Sequence, residues 1–144
     1  MDHKPVYLTT NDYDAICQLW EAAGLAFKPN GRDSREAFAR QMATGVQAVI
    51  GIRHQEELVG VVVATHDSRK GWINRLAVHQ KYQRQGIGRR LIEACEEHFQ
   101  QHDIQIIAAL VETENTGSLA LFRHEGYYLH DNVVYLTKRE HDQV

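Results

Sequence analysis

The stretch Asn74-Arg-Leu-Ala-Val-His-Gln-Lys-Tyr-Gln-Arg-Gln-Gly-Ile-Gly-Arg-Arg90 decides the fold of this chain. A short apolar strand leads into a basic loop with Gln83-x-x-Gly86-x-Gly88, and an amphipathic helix begins immediately afterwards. The first amides of a helix have no internal partner, and the aligned peptide dipoles place partial positive charge at that end. Because glycines let the backbone approach a phosphate closely, the stretch predicts a site for a phosphate-bearing ligand.

The spacing of the glycines restricts the kind of ligand. Arg84, Arg89 and Arg90 add full positive charges around the predicted start of the helix. The chain contains no G-x-x-x-x-G-K-[ST] run, and its glycines do not follow the G-x-G-x-x-G spacing of a dinucleotide fold. A Gly-x-Gly alone is also typical of a tight strand–helix turn without a ligand, so the loop by itself leaves both interpretations open.

A second segment decides between them, namely Val111-Glu-Thr-Glu-Asn115-Thr-Gly-Ser-Leu-Ala-Leu-Phe122-Arg-His-Glu-Gly126-Tyr127. It is typical of a strand followed by a capped helix that ends at a glycine and an aromatic residue. In this order and at this separation, the two segments resemble the GCN5-related N-acetyltransferase (GNAT) superfamily over residues 72–128. The first resembles the acetyl-CoA pyrophosphate motif, and the second resembles N-x-x-[AS]-x-x-[LF]-[YF]-x-x-x-G-[FY].

The resemblance implies a fold and a binding site for acetyl-CoA. The expected fold is an α/β (α+β) single domain over residues 1–144, with a mixed, strongly twisted sheet, splayed central strands and about four flanking helices. In the family the pantetheine arm pairs with the main chain of the first splayed strand, and the loop amides hold the pyrophosphate. An ordinary core strand and an ordinary helix cap are compatible interpretations of the strand residues and of Asn115. The implied contacts are Leu76, Ala77, Val78, Gln83, Arg84, Gln85, Gly86, Ile87, Gly88, Arg89, Asn115 and Phe122.

Acetyl transfer to an amine also requires a base, because an alkyl ammonium with a pKa of about 10.4 is protonated at neutral pH. Several family members carry the base at the position of Leu110 or of Trp72, and neither side chain can accept a proton here. Glu112 and Glu114 follow the strand that would face the thioester. We expect Glu112 to be the catalytic base, and a solvated strand end is the alternative.

The second departure from the family pattern concerns the residue that would protonate the departing thiolate. The family often has a tyrosine at the position of Phe122, where it protonates the departing thiolate; here a core-facing aromatic is the better interpretation. Tyr127 is the candidate catalytic acid that remains, with Tyr128 beside it, and packing in the glycine–aromatic pair is the alternative role of Tyr127. A thiol with a pKa of about 8.5 also leaves tolerably without an acid.

The remaining reactive side chains predict no metal site. His98 and His102 lie on one face of the helix that starts at the glycine loop, but no glutamate follows His98 and no third ligand is near in sequence. Their position near the helix C-terminus explains them more simply. Cys17 and Cys95 form no ligand pattern, and we expect two free thiols in a reducing cytoplasm.

The composition is that of one soluble globular domain. A chain of 144 residues with 43% apolar and 24% charged residues can form a substantial core. The formal net charge of −3 argues against a nucleic-acid partner. No apolar run approaches membrane-spanning length, and the start Met-Asp-His-Lys-Pro lacks the apolar part of a signal peptide. We therefore expect a cytoplasmic protein without a membrane partner.

Periodicity and turn residues predict the element order β-α-α-β-β-β-α-β-α-β-β. Asn11 or Thr10 should cap the first helix, and Asp33 or Ser34 the second, with Glu36 as a capping-box partner of Asp33. The strands expected to complete the sheet are Ile104–Val111, covered on both faces, and then Tyr128–Leu129 and Val133–Thr137 around an Asp131-Asn132 turn.

Together these features predict an N-acetyltransferase that moves an acetyl group directly from acetyl-CoA to a primary amine. The amine could belong to a small molecule, a protein N-terminus or a lysine. The acceptor should lie near Trp20, Phe27, Arg32 and Asp33. An acyl-CoA-binding or regulatory module with little turnover is the main alternative, and a structural domain without affinity for CoA is a weaker one. The sequence leaves open whether the chain forms a homodimer.

Overall fold

The protein is built around one mixed sheet. The computed structural model describes residues 3–144. Its strands are β1 (Val6–Tyr7), β2 (Gln47–His54), β3 (Glu57–His66), β4 (Lys70–Val78) and β5 (Ile106–Ala109). They lie in the order β1-β2-β3-β4-β5, antiparallel throughout except for the parallel pair β4–β5. The mixed sheet expected from the sequence is confirmed.

Four helices cover the sheet within the described residues, namely α1 (Tyr13–Ala22), α2 (Arg35–Met42), α3 (Ile87–Gln101) and α4 (Thr116–His124). Two apolar clusters hold them in place. α1 and α2 contribute Ile16, Trp20 and Phe38 to one cluster, and α3 contributes Leu91 and Phe99 to the other, with both clusters packed on the sheet. Strand β3 is buried on both faces because its successive side chains enter the two clusters in turn.

An irregularity in β4 changes which of its side chains face each cluster. Asn74 pairs with Val63 and Ala77 pairs with Val61, so Arg75 and Leu76 together oppose a single β3 residue. This is a β-bulge, and Arg75 adopts a left-handed φ of 53° within it. Inserting one residue reverses the alternation of side chains. As a result Leu76 packs with the α3 cluster and Ala77 with the α1 cluster.

The predicted cap of the first helix is displaced, whereas Ser34, one of the two residues predicted to cap the second helix, is its cap. Thr9, rather than Thr10 or Asn11, forms a capping box with Asp12, and a short 3₁₀ turn at Thr10–Asp12 then leads into α1. Ser34 caps α2 by accepting from the amide of Ala37 at 3.1 Å, which the sequence allowed. The capping box between Asp33 and Glu36 is wrong, because the Asp33 carboxylate accepts instead from the Lys28 amide at 2.7 Å.

The C-terminal part of the predicted sheet is also wrong for this chain. Tyr128–Leu129 and Val133–Thr137 form neither strand nor helix. β5 is therefore an edge strand of 4 residues rather than a central strand over Ile104–Val111, and Ile106 is 57% exposed. The residues have strand propensity, but a strand exists only when another strand supplies its hydrogen-bonding partners, and no local sequence rule supplies that information.

Within residues 3–144, no helix is long and apolar enough to cross a membrane.

Two glycines test how closely the sheet and helices pack. A Cβ added at Gly71 would lie 2.8 Å from the Phe99 ring, whereas one at Gly117 in α4 would meet nothing within 4 Å. We expect Gly71→Ala to lower the free energy of unfolding by about 1–3 kcal/mol through overpacking. Gly117→Ala should raise the free energy of unfolding by about 0.4–1 kcal/mol, because alanine fits the helical backbone and loses less conformational entropy on folding than glycine. Urea denaturation measures both, and a Gly71→Ala variant as stable as wild type would contradict this packing.

Candidate functional site

A large cavity lies where β4 and β5 separate. Pairing of the two strands starts at Lys70–Ile106 and ends at Ile73–Ala109. Beyond that point the edge of β4 from Asn74 to Val78 faces a cleft instead of a strand. The cavity has a volume of about 1370 Å³ and runs from the α1–α2 loop, past the two strands, to the start of α3. The predicted splay of the central strands is thus confirmed.

One end of the cavity is an anion site built by the glycine loop. Gly86 occupies the position before α3 with a left-handed φ of 83°, and within the described residues no side chain caps this helix. The amides that follow have no intrahelical partner, so they and the helix dipole favour a negative group there. Arg84 and Arg89 line the same end and add charge. This geometry suits a phosphate, as the loop sequence predicts.

The predicted strand contacts lie in the same cleft. Leu76, Ala77 and Val78 all line it, directly before the loop. The Gln83 side chain donates to the Val78 carbonyl at 3.3 Å and so ties the loop back to the strand. Of the twelve residues proposed to contact acetyl-CoA, all but Gln85 line the cavity.

The start of α4 forms the opposite wall. Asn115 caps this helix by accepting from the Ser118 amide at 3.1 Å, and it also lines the cavity, so the two interpretations of Asn115 are compatible. Phe122 lines the cavity while being only 7% exposed. Its ring packs edge-on against Tyr127 at 5.2 Å between centroids, which is the contact of a core aromatic.

Tyr127 does not line the cavity. Its hydroxyl donates to the Glu96 carboxylate of α3 at 2.8 Å. Burial above all, and then the hydrogen bond to Glu96, raise the pKa of Tyr127 well above its usual value. A phenol held in this way is a poor proton donor to a thiolate in the cleft. These contacts favour the packing role of Tyr127 over the catalytic one.

Glu112 lines the cleft three residues after the end of β5. It lines the cavity together with Leu110, whose side chain is 56% exposed. Its backbone carbonyl accepts from the Asn115 amide at 3.0 Å, which fixes the turn into α4. Glu114 does not line the cavity, and its carboxylate accepts from the Thr113 hydroxyl at 3.0 Å. Of the two glutamates predicted as bases, the structure therefore brings only Glu112 to the cleft.

The far end of the cavity is aromatic and cationic. Trp20, Arg32 and Asp33 line it as expected for the acceptor region, and Phe27 packs behind Trp20 at 5.5 Å between centroids. Arg75 from the β4 bulge joins them. Its guanidinium lies 4.8 Å above the Trp20 ring and donates to the Asp33 carboxylate at 2.9 Å.

Hydrogen bonds hold the loop that carries Arg32 and Asp33. Tyr13 of α1 donates to the Asp33 carbonyl at 2.6 Å, and burial above all raises the pKa of Tyr13 to about 12. Gln41 of α2 donates to the Arg32 carbonyl at 3.0 Å. The loop is therefore fixed from α1, α2 and β4 before any ligand arrives.

Sequence reasoning missed several polar residues of the cleft. Asn74 donates to the Thr65 hydroxyl at 3.1 Å in the middle of the sheet, and Arg75 reaches Asp33 at the far end of the cavity. The only local signal for them was a polar pair, Asn74-Arg75, inside an otherwise apolar strand. Their partners are distant in sequence, so their roles could not be derived from spacing.

No metal centre is apparent in the part of the chain that the structure describes, where no group of three or more His, Cys, Asp or Glu is placed to hold an ion. His98 and His102 do approach each other, with ring centroids 4.6 Å apart, but His98 shares a hydrogen bond with the Tyr7 hydroxyl at 2.8 Å. Burial, followed by the neighbouring His102 and His66, lowers the pKa of His98.

Comparisons with known proteins agree with this geometry. The profile of the acetyltransferase (GNAT) family matches residues 13–127. PaiA N-acetyltransferase from Thermoplasma acidophilum, solved with coenzyme A, is 15% identical with a TM-score of 0.81 over 92% of this chain and 94% of that one. An aminoglycoside acetyltransferase from an uncultured soil metagenomic sample, solved with trehalose, is 21% identical with a TM-score of 0.78 over 94% and 95%.

A third solved structure is the ribosomal-protein-alanine N-acetyltransferase from Brucella melitensis biovar Abortus 2308. It is 14% identical with a TM-score of 0.75 over 96% of this chain and 99% of that one. At these identities the three structures show a shared fold. The comparison with curated proteins gives no match.

The contacts of Tyr127 predict how its hydroxyl contributes. Tyr127→Phe removes the hydrogen bond to Glu96, and we expect the free energy of unfolding to fall by about 0.5–1.5 kcal/mol. The kcat/KM should stay within about a factor of two, because the hydroxyl is outside the cleft. Tyr128→Phe is the control, since its ring is 80% exposed and should change neither quantity. Loss of turnover in Tyr127→Phe with fold and acetyl-CoA binding intact would identify Tyr127 as the acid.

Proposed function

Because the chain belongs to the acetyltransferase (GNAT) family, we propose that it transfers an acetyl group from acetyl-CoA directly to a primary amine. The single observation that carries the proposal is the cleft between β4 and β5, which ends at the uncapped start of α3. An elongated acyl thioester with a phosphate-bearing tail fits a cleft of this shape. No covalent intermediate with the enzyme is needed.

The α3 end would hold the pyrophosphate. The amides from Arg84 to Arg89 would supply hydrogen bonds, with the helix dipole and the two arginine side chains adding charge. The pantetheine arm would lie along the edge of β4 at Leu76–Val78, where β5 has already turned away. PaiA, which shares the fold, was solved with coenzyme A.

The reacting groups would meet at the middle of the cleft, between the acceptor end and Phe122. The neutral amine attacks the thioester carbon, an N–C bond forms, the C–S bond breaks, and the CoA thiolate leaves. Glu112, directly or through water, would take the proton from the amine. Solvent rather than Tyr127 would protonate the thiolate, because the Tyr127 hydroxyl is committed to Glu96.

The acceptor end carries hydrogen-bond donors. Within the described residues, the N–H groups at Trp20 Nε1, Arg32 Nε and Arg75 Nη1 are buried without a hydrogen bond, although Arg32 Nε lies 3.7 Å from the Asp33 carboxylate. Asp33 is already occupied by Arg75 and by the Lys28 amide. This arrangement favours an amine that carries a hydrogen-bond-accepting or anionic group over one that carries several positive charges. Small-molecule amines and protein amines both include members of that kind.

The first test concerns acetyl-CoA. Ligand at a hundredfold excess over its Kd should stabilise the folded protein by about 2.7 kcal/mol, measured as a thermal shift. Gly86→Asp places a carboxylate where the pyrophosphate would bind and should abolish the shift. Gly86→Asn is the matched control, because asparagine tolerates the same left-handed backbone without the charge. If acetyl-CoA gave Gly86→Asp the same thermal shift as the wild type, acetyl-CoA would bind elsewhere, and the assignment of the pyrophosphate site to this loop would be wrong.

The second test concerns the base. A panel of amines, in pairs with and without a carboxylate and read by release of free CoA, first supplies the acceptor. Glu112→Gln should then lower kcat/KM by about 10²–10⁴ near neutral pH. Part of the rate should return at higher pH, because the acceptor ammonium, with a pKa of about 10.4, loses its own proton there.

Glu114→Gln is the matched control for Glu112→Gln and should keep the wild-type rate and pH profile. A wild-type profile in Glu112→Gln would return this residue to the role of a solvated strand end. If acetyl-CoA binds and no amine in the panel releases CoA, the binding module without turnover becomes the better description.

A further inference from the structure

The end of the cavity at Trp20 and Asp33, here called the Trp20–Asp33 end, carries more positive than negative charge. Within the described residues, three charged side chains line it, namely Arg32, Asp33 and Arg75. The Asp33 side chain is only 10% exposed, and Arg75 already pairs with it at 2.9 Å. Arg32 Nε lies 3.7 Å from the same carboxylate oxygen, which is too far for a hydrogen bond. One carboxylate therefore faces two guanidinium groups, and one positive charge is left uncompensated.

The same end contains donors that the protein itself does not satisfy. Trp20 Nε1 and Arg75 Nη1 are buried without a hydrogen bond. The guanidinium carbon of Arg75 lies 4.8 Å from the centre of the Trp20 ring, so both N–H groups belong to one small region. Native proteins pair almost all buried donors, because an unpaired one has lost its water without a replacement. Two unpaired donors beside a surplus positive charge indicate a ligand that supplies anionic oxygen.

Most of this region is held in position before a ligand arrives. Trp20 is 3% exposed and packs in the α1 cluster, and Arg75 is held by its stack on Trp20 and its pairing with Asp33. Gln41 fixes the backbone of Arg32 through its carbonyl, whereas the Arg32 side chain is 40% exposed. Preorganised donors lose little conformational entropy on binding. The exposed guanidinium of Arg32 is the part that can close on the ligand.

We propose that the Trp20–Asp33 end binds a carboxylate of the acceptor, so that the acceptor is an amino carboxylate such as an amino acid. Arg32 and Arg75 contact the carboxylate oxygens, and Trp20 Nε1 donates to one of them. A guanidinium is planar and offers paired donors that match a carboxylate, and hydrogen bonds between the two are charge-assisted. The inference rests on the proposed acetyl transfer, because the bound molecule is the acceptor of that reaction.

The charges along the cleft agree with an acceptor of this kind. With its carboxylate at the Trp20–Asp33 end, an amino carboxylate presents its amine toward the middle of the cleft. Glu112 lines the cavity beyond β5 and favours positive charge there. An acceptor with several ammonium groups would instead bring positive charge against Arg32 and Arg75, where like charges repel. The order of charges in the cleft thus matches one amine and one carboxylate on the same molecule.

A series of linear ω-amino acids and their primary amides tests the carboxylate. The spacer between amine and carboxyl group increases through the series, each pair is compared at equal concentrations of neutral amine, and release of free CoA measures kcat/KM. At the best spacer length we expect the acid to exceed its amide by about 10–100-fold, the ratio typical of a hydrogen bond to a charged group. The difference should lie mainly in KM, because a contact remote from the reacting atoms stabilises substrate and transition state alike.

Substitutions identify the side chains that recognise the carboxylate. Arg32→Gln removes the exposed guanidinium, and Trp20→Phe removes the indole N–H while keeping an aromatic ring. In each variant the acid-to-amide ratio of kcat/KM should fall by about tenfold. Arg35→Gln is the matched control and should keep the wild-type ratio. Arg35 also lies 4.8 Å over an aromatic ring, that of Tyr13, and pairs with Asp14 at 2.6 Å, but it does not line the cavity.

Charge reversal gives a further test at the same position. Arg32→Glu should shift the preference from the ω-amino acid to the diamine of the same length, because the surplus charge at this end then becomes negative. Thermal unfolding checks that each variant is folded. Both Arg32 variants change a side chain that is 40% exposed, so they remain informative if Trp20→Phe does not fold.

A binding measurement separates this inference from the proposed function. Titration calorimetry follows binding of the ω-amino acid in the presence of CoA, where no transfer occurs. If no amine releases CoA from acetyl-CoA, but the amino acid binds the wild type and not Arg32→Gln, the carboxylate site stands and the proposed acetyl transfer is wrong. If acids and amides are acetylated equally well, or if Arg32→Gln keeps the wild-type ratio, the carboxylate site is wrong and acetyl transfer stands. Absence of both turnover and binding would overturn both proposals.

Discussion

The separation of β4 from β5 after Ile73 and Ala109 is the constraint on which the rest of the structure depends. Two parallel strands that stayed paired would leave no space for a ligand between them. The bulge at Arg75 and Leu76 lies at this point, and bulges bend a strand and increase its twist. The same bulge reverses the alternation of side chains, so β4 can leave β5 while still supplying apolar residues to the clusters on both faces.

The bulge has a conformational cost that neighbouring contacts offset. Arg75 adopts a left-handed φ of 53°, a conformation that costs a non-glycine residue about 1–3 kcal/mol. Its guanidinium is stacked over Trp20 and paired with Asp33, in a region where these side chains are largely buried. The strain at the cleft is therefore tied to the α1–α2 loop, and the Trp20–Asp33 end of the cavity and the splayed strand form one connected unit.

The parts of the site that the sequence predicted are those governed by local rules. The Gly86 turn, the uncapped start of α3 and the Asn115 cap each involve residues within a few positions of one another. The Arg75–Asp33 pair joins residues 42 positions apart, and the bulge depends on how β4 registers against β3. Neither the Arg75–Asp33 pair nor the bulge leaves a periodic signal in the sequence. Glu112 reached the cleft as predicted, whereas the hydroxyl of Tyr127 points to Glu96 because packing around Phe122 fixes its ring.

The C-terminal strands show a different limit of sequence reasoning. The pattern in Val133–Thr137 indicates a segment with strand propensity, but pairing is a property of two strands, and the pattern does not say whether the sheet supplies the second. Apolar composition alone also misleads the prediction of strand position. Ile104–Val111 is apolar enough for a central strand, yet β5 has a partner on one side only.

Both the cleft and the free edge of the sheet depend on β5. Its inner edge must leave β4 for the cleft to open, and its outer edge has no neighbour within the sheet. It is held by 4 residues of pairing and by the half-buried Ile107 and Ala109 against the α3 cluster. A strand held this weakly is expected to open more readily than the buried β3. Any contact that pairs its outer edge would also fix the wall that carries Leu110 and Glu112. The outer edge of the sheet and the wall of the cleft are therefore physically linked through one short strand.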